Sequence, residues 1–211
     1  NVSLVRFLGL EPEHMGDCMD AKDLYFGALK QFRDRNAPVL PQVQLQYGAN
    51  ERWLAREFTL AMNCHLAGSW NPQRMQRFAD CEFRYADITV WEGDTPLALY
   101  EVKALYSDMS TEMIRGIVEK ASRQLSDHHA IEVDRRLGLF FAVYYEKGKS
   151  ETCGVHANAF ATRVRDAVRT CFTSDHQIRM TELSPLSEID YGPLEADPWH
   201  TQSWVTWGQL A

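Results

Sequence analysis

The chain has 211 residues, of which 45% are apolar and 11% aromatic, and its formal charge is −7 at pH 7. These values indicate a packed globular protein of one α/β domain or two small ones, and they exclude a chain coated with basic residues for nucleic-acid binding. No apolar run is long enough to span a membrane. Residues 185–211 carry four acids and no Lys or Arg, so the net charge still allows a basic cleft elsewhere.

The five cysteines are odd in number and dispersed along the chain. This usage is typical of reduced thiols in a cytosol and not of a disulfide framework. Cys153 and His156 have the spacing of half a zinc motif, but no second half follows, so a zinc site is not expected.

The first half of the chain alternates helical and extended patterns. Apolar residues at helical spacing predict a helix within residues 19–36 and another over residues 50–66. Residues 71–83 are predicted as a loop or a short helical piece. Two strands follow, over residues 85–91 and 97–105, and a turn with the sequence EGDTP joins them.

The second half continues the alternation. A long helix is predicted to begin at Ser107 or Ser110, with Glu112 in its first turn. A buried strand over residues 136–148, a helix over 156–172 and a strand over 176–183 come next. Residues 184–211 are predicted as an irregular, acidic, Trp-rich tail packed on the core. Together the elements predict a mixed α/β sandwich around one core.

Charged residues interrupt the apolar pattern of the central hairpin. Glu101 and Lys103 point to one face of their strand because side chains alternate, and Asp87 opens the neighbouring strand. Such charges usually form a solvated face, but here the flanking residues are strongly apolar. Two close carboxylates repel each other, and a hard divalent cation relieves that repulsion, with the carbonyl of Val102 as a further ligand.

Asp87, thirteen residues, and then Glu101-Val102-Lys103 resemble the motif of the PD-(D/E)XK nuclease superfamily. The resemblance implies a restriction-endonuclease-like α-β-β-β-α-β core, with a central mixed sheet flanked by helices, over residues 47–183. Residues 1–46 would then be an N-terminal helical extension, and residues 184–211 the tail. The first motif departs from the family pattern because Ala86 stands where the family has proline.

The resemblance also implies a metal-dependent nuclease that hydrolyses phosphodiester bonds, with DNA as its substrate. Asp87, Glu101 and the Val102 carbonyl would hold Mg²⁺, for which Mn²⁺ could substitute, and Lys103 would assist the attacking water. The first core helix of this family often supplies another acid to the metal. Glu57, which borders the apolar face of that helix, is preferred here over Glu51.

Several polar residues on later helices are candidates for substrate contact. Family branches place a glutamine on the helix after the motif, which makes Gln124 a candidate catalytic residue. Lys120 and Arg123 on the same helix, and Arg163 on the next, could meet phosphates, although ordinary solvated helix faces explain them equally well. Weaker candidates are the pair His128-His129 and the base-stacking residues Trp199, Trp204 and Trp207.

The biological role stays open between two kinds of nuclease. One is a toxin-type effector domain, delivered from another cell and bound by an immunity protein, and the other is a defence or restriction enzyme. Either would act in a cytoplasm, and either is compatible with a dimer. The alternative from another class is a catalytically silent module that binds nucleic acid or protein on the same fold.

Overall fold

The computed structural model is mixed α/β, as the sequence predicts. It describes residues 21–36, 39–40, 50–68, 76–81, 86–128, 131–133, 135–148, 151–173, 178–189 and 198–210. Within these ranges the helices are α1 (Ala21–Asn36), α2 (Asn50–Gly68), α3 (Thr111–Asp127) and α4 (Cys153–Cys171). The strands are β1 (Arg77–Cys81), β2 (Ile88–Glu92), β3 (Thr95–Tyr106), β4 (Arg135–Lys147), β5 (Phe172–Thr173), β6 (Thr181–Ile189) and β7 (Trp199–Leu210).

All seven strands belong to one mixed sheet, in the order β1-β2-β3-β4-β7-β5, with β6 also paired to β7. β3 and β4 are parallel and α3 connects them, whereas the other pairs are antiparallel. Gly93, with a φ of 57°, forms the β2–β3 turn, because that backbone conformation disfavours a side chain. Ser110, one of the two predicted starts, caps α3 by accepting a hydrogen bond from the Met113 amide at 3.2 Å.

The sheet is covered on both faces, so β3 divides its side chains between two apolar layers. Val102 and Ala104 pack in the layer that includes α1 and α2. Leu99 and Leu105 pack in the opposite layer, with the buried side chains of α3 and α4. Glu101 and Lys103 alternate with Val102, so they point to the α3 and α4 side. None of the described helices is long and apolar enough to cross a membrane.

The prediction of a loop or helical piece over residues 71–83 is wrong at β1. Residues 77–81 form a strand because they pair with β2, from Arg77↔Glu92 to Cys81↔Ile88. On the other side, the Asn63 side chain of α2 takes the place of a neighbouring strand. Its amide donates to the Ala79 carbonyl at 2.9 Å, and its oxygen accepts from the Ala79 amide at 2.7 Å. This contact protects the edge of the sheet.

The prediction of an irregular tail is also wrong over residues 184–189 and 199–210, which form strands. β7 lies between β4 on one side and β5 and β6 on the other, and it pairs with β4 along eleven residues from Lys147↔Trp199 to Leu137↔Gln209. The strand predicted over 176–183 begins later, at Thr181, and continues to Ile189. The sequence of β7 does not show an apolar strand pattern because several of its buried residues are polar, including His200, Thr201 and Ser203.

β3 is longer than the neighbour with which it pairs. Its pairing with β2 ends at Ile88↔Tyr100, whereas its pairing with β4 continues to Tyr106↔Val143. In the part of the chain that the structure describes, no strand pairs with the β2 side of β3 from Val102 to Tyr106. We call this segment the open edge of β3.

Replacing either of two glycines with alanine should change the free energy of unfolding in different ways. A Cβ at Gly208 would lie 2.5 Å from the Cβ of Phe172, so Gly208→Ala should lower the free energy of unfolding by about 1–3 kcal/mol. A Cβ at Gly116, on the exposed face of α3, meets no atom within 4 Å. Gly116→Ala is the matched control and should be neutral or stabilising by up to about 1 kcal/mol. Urea unfolding of both variants measures the difference, and equal effects would contradict the packing described for β7.

Candidate functional site

The three charged residues predicted from the motif meet in the structure. The Lys103 ammonium lies 2.9 Å from Glu101 Oε2 and 3.5 Å from Asp87 Oδ2. Glu101 and Lys103 are buried, with 3% and 8% of their surface exposed, whereas the Asp87 side chain is 37% exposed. The cluster therefore has two buried members and one that opens to solvent.

Carboxylates also satisfy the backbone along the open edge of β3. The Val102 amide donates to Asp87 Oδ2 at 2.7 Å, and the Ala104 amide donates to Glu51 Oε1 at 3.1 Å. The N–H and C=O of a strand residue point to the same side, so the Val102 carbonyl faces this edge as well. Asp87 and Glu51 thus hold backbone groups where β2 no longer pairs with β3.

The pKa values of the buried pair shift because the charges are crowded. Burial raises the pKa of Glu101 to about 7, the negative charge of Asp87 adds to the rise, and Lys103 opposes it. Burial by itself lowers the pKa of Lys103, but the surrounding carboxylates and the hydrogen bond to Glu101 outweigh it, so this pKa lies above its ordinary value. The cluster therefore keeps its ammonium at neutral pH, while Glu101 gains and loses a proton there.

The helix carboxylate that reaches the cluster is Glu51 and not the preferred Glu57. Glu51 lies in the first turn of α2, contacts β3 through Ala104 and contributes to the electrostatics of Lys103. Glu57 lies farther along α2, and its carboxylate is 3.9 Å from the guanidinium of Arg35 on α1. Glu57 therefore faces the neighbouring helix.

The candidates on α3 lie on two different faces of the helix. Lys120 and Arg123 are exposed. The Gln124 side-chain oxygen is buried, and it has no hydrogen-bond partner among the described residues. α3 starts past the end of β3 and runs back along it. At about 1.5 Å per helix residue against about 3.3 Å per strand residue, Gln124 reaches roughly the level of Glu101.

Arg163 has a structural contact that its sequence position did not suggest. Its guanidinium donates to the carbonyls of Met109 and Ser107, at 3.2 and 3.3 Å, and lies 5.5 Å from the centre of the Phe160 ring. It thereby fastens α4 to the segment that joins β3 to α3. The nearby Arg165 and Arg169 both lie within 4.0 Å of an Asp166 oxygen.

Of the weaker candidates, Trp199, Trp204 and Trp207 lie on β7, and His128 follows the last residue of α3. Trp204 is buried, and Trp207 packs against the core beside Tyr25. The His128 carbonyl accepts a hydrogen bond from Arg136, and His129 lies outside the described residues. His156 Nδ1 is 2.9 Å from Glu146 Oε2, and Glu146 also accepts a hydrogen bond from the Tyr144 hydroxyl.

The chemistry of the donors fits a hard cation at the open edge of β3. Asp87 and Glu101 supply carboxylate oxygens and Val102 a carbonyl, which are ligands that Mg²⁺ prefers. Among the described residues, no three His, Cys, Asp or Glu side chains are grouped closely enough to hold a metal ion, and Lys103 lies between the two carboxylates. The fit thus rests on two carboxylates and one backbone oxygen.

This arrangement combines a buried ammonium, a carboxyl group that titrates near neutrality and a second carboxylate open to solvent. Such a combination can orient a water molecule, move a proton and stabilise developing negative charge. Comparisons of the chain with protein-family models, with curated proteins and with solved structures found no match.

Proposed function

We propose that this protein is a metal-dependent nuclease of the PD-(D/E)XK type that hydrolyses phosphodiester bonds in DNA. The observation that carries the proposal is the Lys103 ammonium between buried Glu101 and half-exposed Asp87 at the open edge of β3. An ion-paired lysine beside two carboxylates is costly to bury, so a purely structural role explains it poorly.

The order of the elements supports the same proposal. From α2 to β4 the chain runs α-β-β-β-α-β, which is the order that the motif resemblance implies. β1, β2 and β3 are antiparallel, and α3 crosses over to the parallel strand β4. Asp87 lies immediately before β2, and Glu101 and Lys103 lie in the middle of β3, where the two strands stop pairing.

Each residue of the cluster has a role in the proposed reaction. Asp87, Glu101 and the Val102 carbonyl would hold the divalent cation, and that cation would supply Lewis-acid activation of water and phosphate. Lys103 Nζ would orient the attacking water and balance the negative charge that develops on the phosphate. Glu51, which lies closer to the cluster than Glu57, would position β3 through the Ala104 amide.

A cleavage assay on supercoiled plasmid with Mg²⁺, Mn²⁺ or EDTA tests the proposal, with RNA as a second substrate. The variant is Asp87→Asn, because an amide oxygen can still accept the Val102 hydrogen bond while the charge is lost. We expect metal-dependent cleavage by the parent chain and a loss of about 100-fold or more in the variant. The matched control is Asp94→Asn, in the exposed β2–β3 turn, which should cut normally.

A specific observation favours a second candidate, the silent binding module. Asp87 and Glu51 both accept backbone amides, so they could serve only to close an open strand edge. That function predicts no cleavage by any well-folded sample under any of the metal conditions. It also predicts that Asp87→Asn binds its partner as the parent chain does, because the hydrogen bond to Val102 is retained.

A further inference from the structure

Thr89, near the start of β2, carries a buried hydroxyl group. Its side chain is 2% exposed, and Oγ1 has no hydrogen-bond partner in the part of the chain that the structure describes. Burying such a hydroxyl is costly, because it loses its hydrogen bonds to water and gains none in return. Valine has nearly the same shape, suits a strand equally well and avoids this cost. The hydroxyl of Thr89 is therefore available to a molecule that binds beside it.

The register of the sheet places Thr89 on the same face as the charged cluster. Thr89 is opposite Leu99 on β3, and Leu99 packs in the apolar layer of α3 and α4. Opposite residues of an antiparallel pair share a face, and so do residues two apart on one strand. Glu101 follows Leu99 by two residues and is therefore the diagonal neighbour of Thr89. Asp87, two residues before Thr89, contacts the same Lys103 ammonium as Glu101.

The spacing between Thr89 and Glu101 suits a bridging water. Diagonal neighbours in an antiparallel pair lie about 7–8 Å apart at the backbone, and their β-carbons are somewhat closer. The structure has no direct hydrogen bond from Thr89 Oγ1 to Glu101. A water molecule between a hydroxyl and a carboxylate can bond to both groups. One water can therefore connect these two side chains.

A second buried acceptor approaches Glu101 from the helix that covers β3. Gln124 Oε1 is buried and has no hydrogen-bond partner among the described residues. Its neighbours in α3, Ala121 and Leu125, pack in the same apolar layer as Leu99, and Gln124 reaches roughly the level of Glu101. An amide oxygen only accepts hydrogen bonds, so its partner must be a donor. The strand and the helix thus each offer an acceptor to one donor molecule near Glu101.

We propose that Thr89 is a positioning residue for metal-bound water. Its Oγ1, together with Gln124 Oε1, accepts hydrogen bonds from water on the divalent cation that Asp87 and Glu101 hold. The inference rests on the proposed nuclease function, to whose metal site it adds the groups that orient the water. Mg²⁺ usually keeps several waters when it binds a protein, and a bound cation makes such water more acidic and a better donor. Groups that act on a metal in this way typically change its affinity by about 10–100-fold.

Binding of Mn²⁺ without DNA, measured from the electron paramagnetic resonance signal of the free ion, tests the inference. Thr89→Val keeps the shape but removes the hydroxyl, and it should weaken Mn²⁺ binding at the site by about 10-fold or more. Thr89→Ser keeps the hydroxyl and should recover most of the affinity. The binding that Asp87→Asn removes is the binding that belongs to the site.

The matched control is Thr206→Val. Thr206 lies on β7, and it too is buried with an Oγ1 that has no hydrogen-bond partner among the described residues. Thr206→Val should bind Mn²⁺ as the parent chain does. Without metal, neither valine variant should unfold at a lower urea concentration than the parent, because neither loses a hydrogen bond within the described chain.

The inference is overturned if Thr89→Val binds Mn²⁺ as tightly as Thr89→Ser, or if Thr206→Val weakens binding equally. It is also overturned if the parent binds no Mn²⁺ that depends on Asp87. A lower urea midpoint in Thr89→Val without metal would make the hydroxyl a structural group, with the same consequence. If Thr89→Val does not fold by circular dichroism, Thr89→Ala provides the same comparison.

The plasmid assay fails separately from this measurement. Mn²⁺ binding that depends on the Thr89 hydroxyl, without any cleavage, would contradict the nuclease and keep the inference. Metal-dependent cleavage, with equal Mn²⁺ binding by all the Thr89 variants, would do the reverse.

Discussion

Replacing Lys103 with methionine should lower the rate of phosphodiester cleavage by about 10²- to 10⁴-fold. The methionine retains the length of the side chain but removes the ammonium that lies within 3.5 Å of both Asp87 and Glu101. Without that charge, the proposed site loses the group that orients water and balances the phosphate. The pKa of Glu101 should also rise further, because Lys103 is what opposes the effect of burial.

A second variant separates charge from proton transfer at the same position. Lys103→Arg keeps a positive charge that cannot be removed at any ordinary pH. Recovery of cleavage in this variant would mean that Lys103 acts as a fixed charge, and no recovery would point to proton transfer or to a strict fit. Lys30→Met, on the exposed side of α1, is the control for loss of a lysine. If Lys103→Met cuts as fast as the parent chain, the assigned role is wrong.

The sequence was most informative where the local pattern decides the structure. The amphipathic pattern places α2 within two residues of its observed end, and Ser110, one of the two predicted caps, precedes α3. The alternation of β3 brings Glu101 and Lys103 to one face, as predicted. In each case the determining signal lies within a single element.

The predictions that were wrong share a different cause. They concern segments whose structure depends on residues that are distant in the sequence. The five residues of β1 are a strand because β2 and Asn63 satisfy their backbone on the two sides. β7 is central although its buried face carries Ser203, whose hydroxyl lies 2.7 Å from that of Ser184 on β6. The helical pattern favoured Glu57 because this residue lies beside the apolar face of α2. Glu51, in the first turn of α2, contacts β3 instead. That contact depends on how α2 packs against the sheet, which a helical pattern does not reveal.

Replacing Glu101 with glutamine should make the protein more stable at and above neutral pH. The folded-state pKa of Glu101 is raised to about 7 from an ordinary value of 4.5, mainly by burial. Between these two values the folded chain binds more protons than the unfolded chain. The free energy of unfolding should therefore fall as the pH rises from about 4.5 through 7.

The size of this effect follows from the shift in pKa. A carboxyl whose pKa rises from 4.5 to about 7 loses at most about 3 kcal/mol of stability once it is fully ionised. Glu101→Gln keeps the shape and the acceptor for Lys103 but does not ionise, so it should escape this loss. The raised pKa of Lys103 does not alter the window, because its contribution is lost only as the pH rises above the ordinary lysine range.

Urea unfolding at a series of pH values from about 5 to about 8 measures both chains. The two free energies of unfolding should converge at the acidic end and separate as the pH rises, with the variant the more stable. Glu132→Gln, which removes an exposed acid, should follow the parent chain at every pH. Parallel curves for the parent and Glu101→Gln would mean that Glu101 titrates as an ordinary surface acid, and the buried cluster as described would then be wrong.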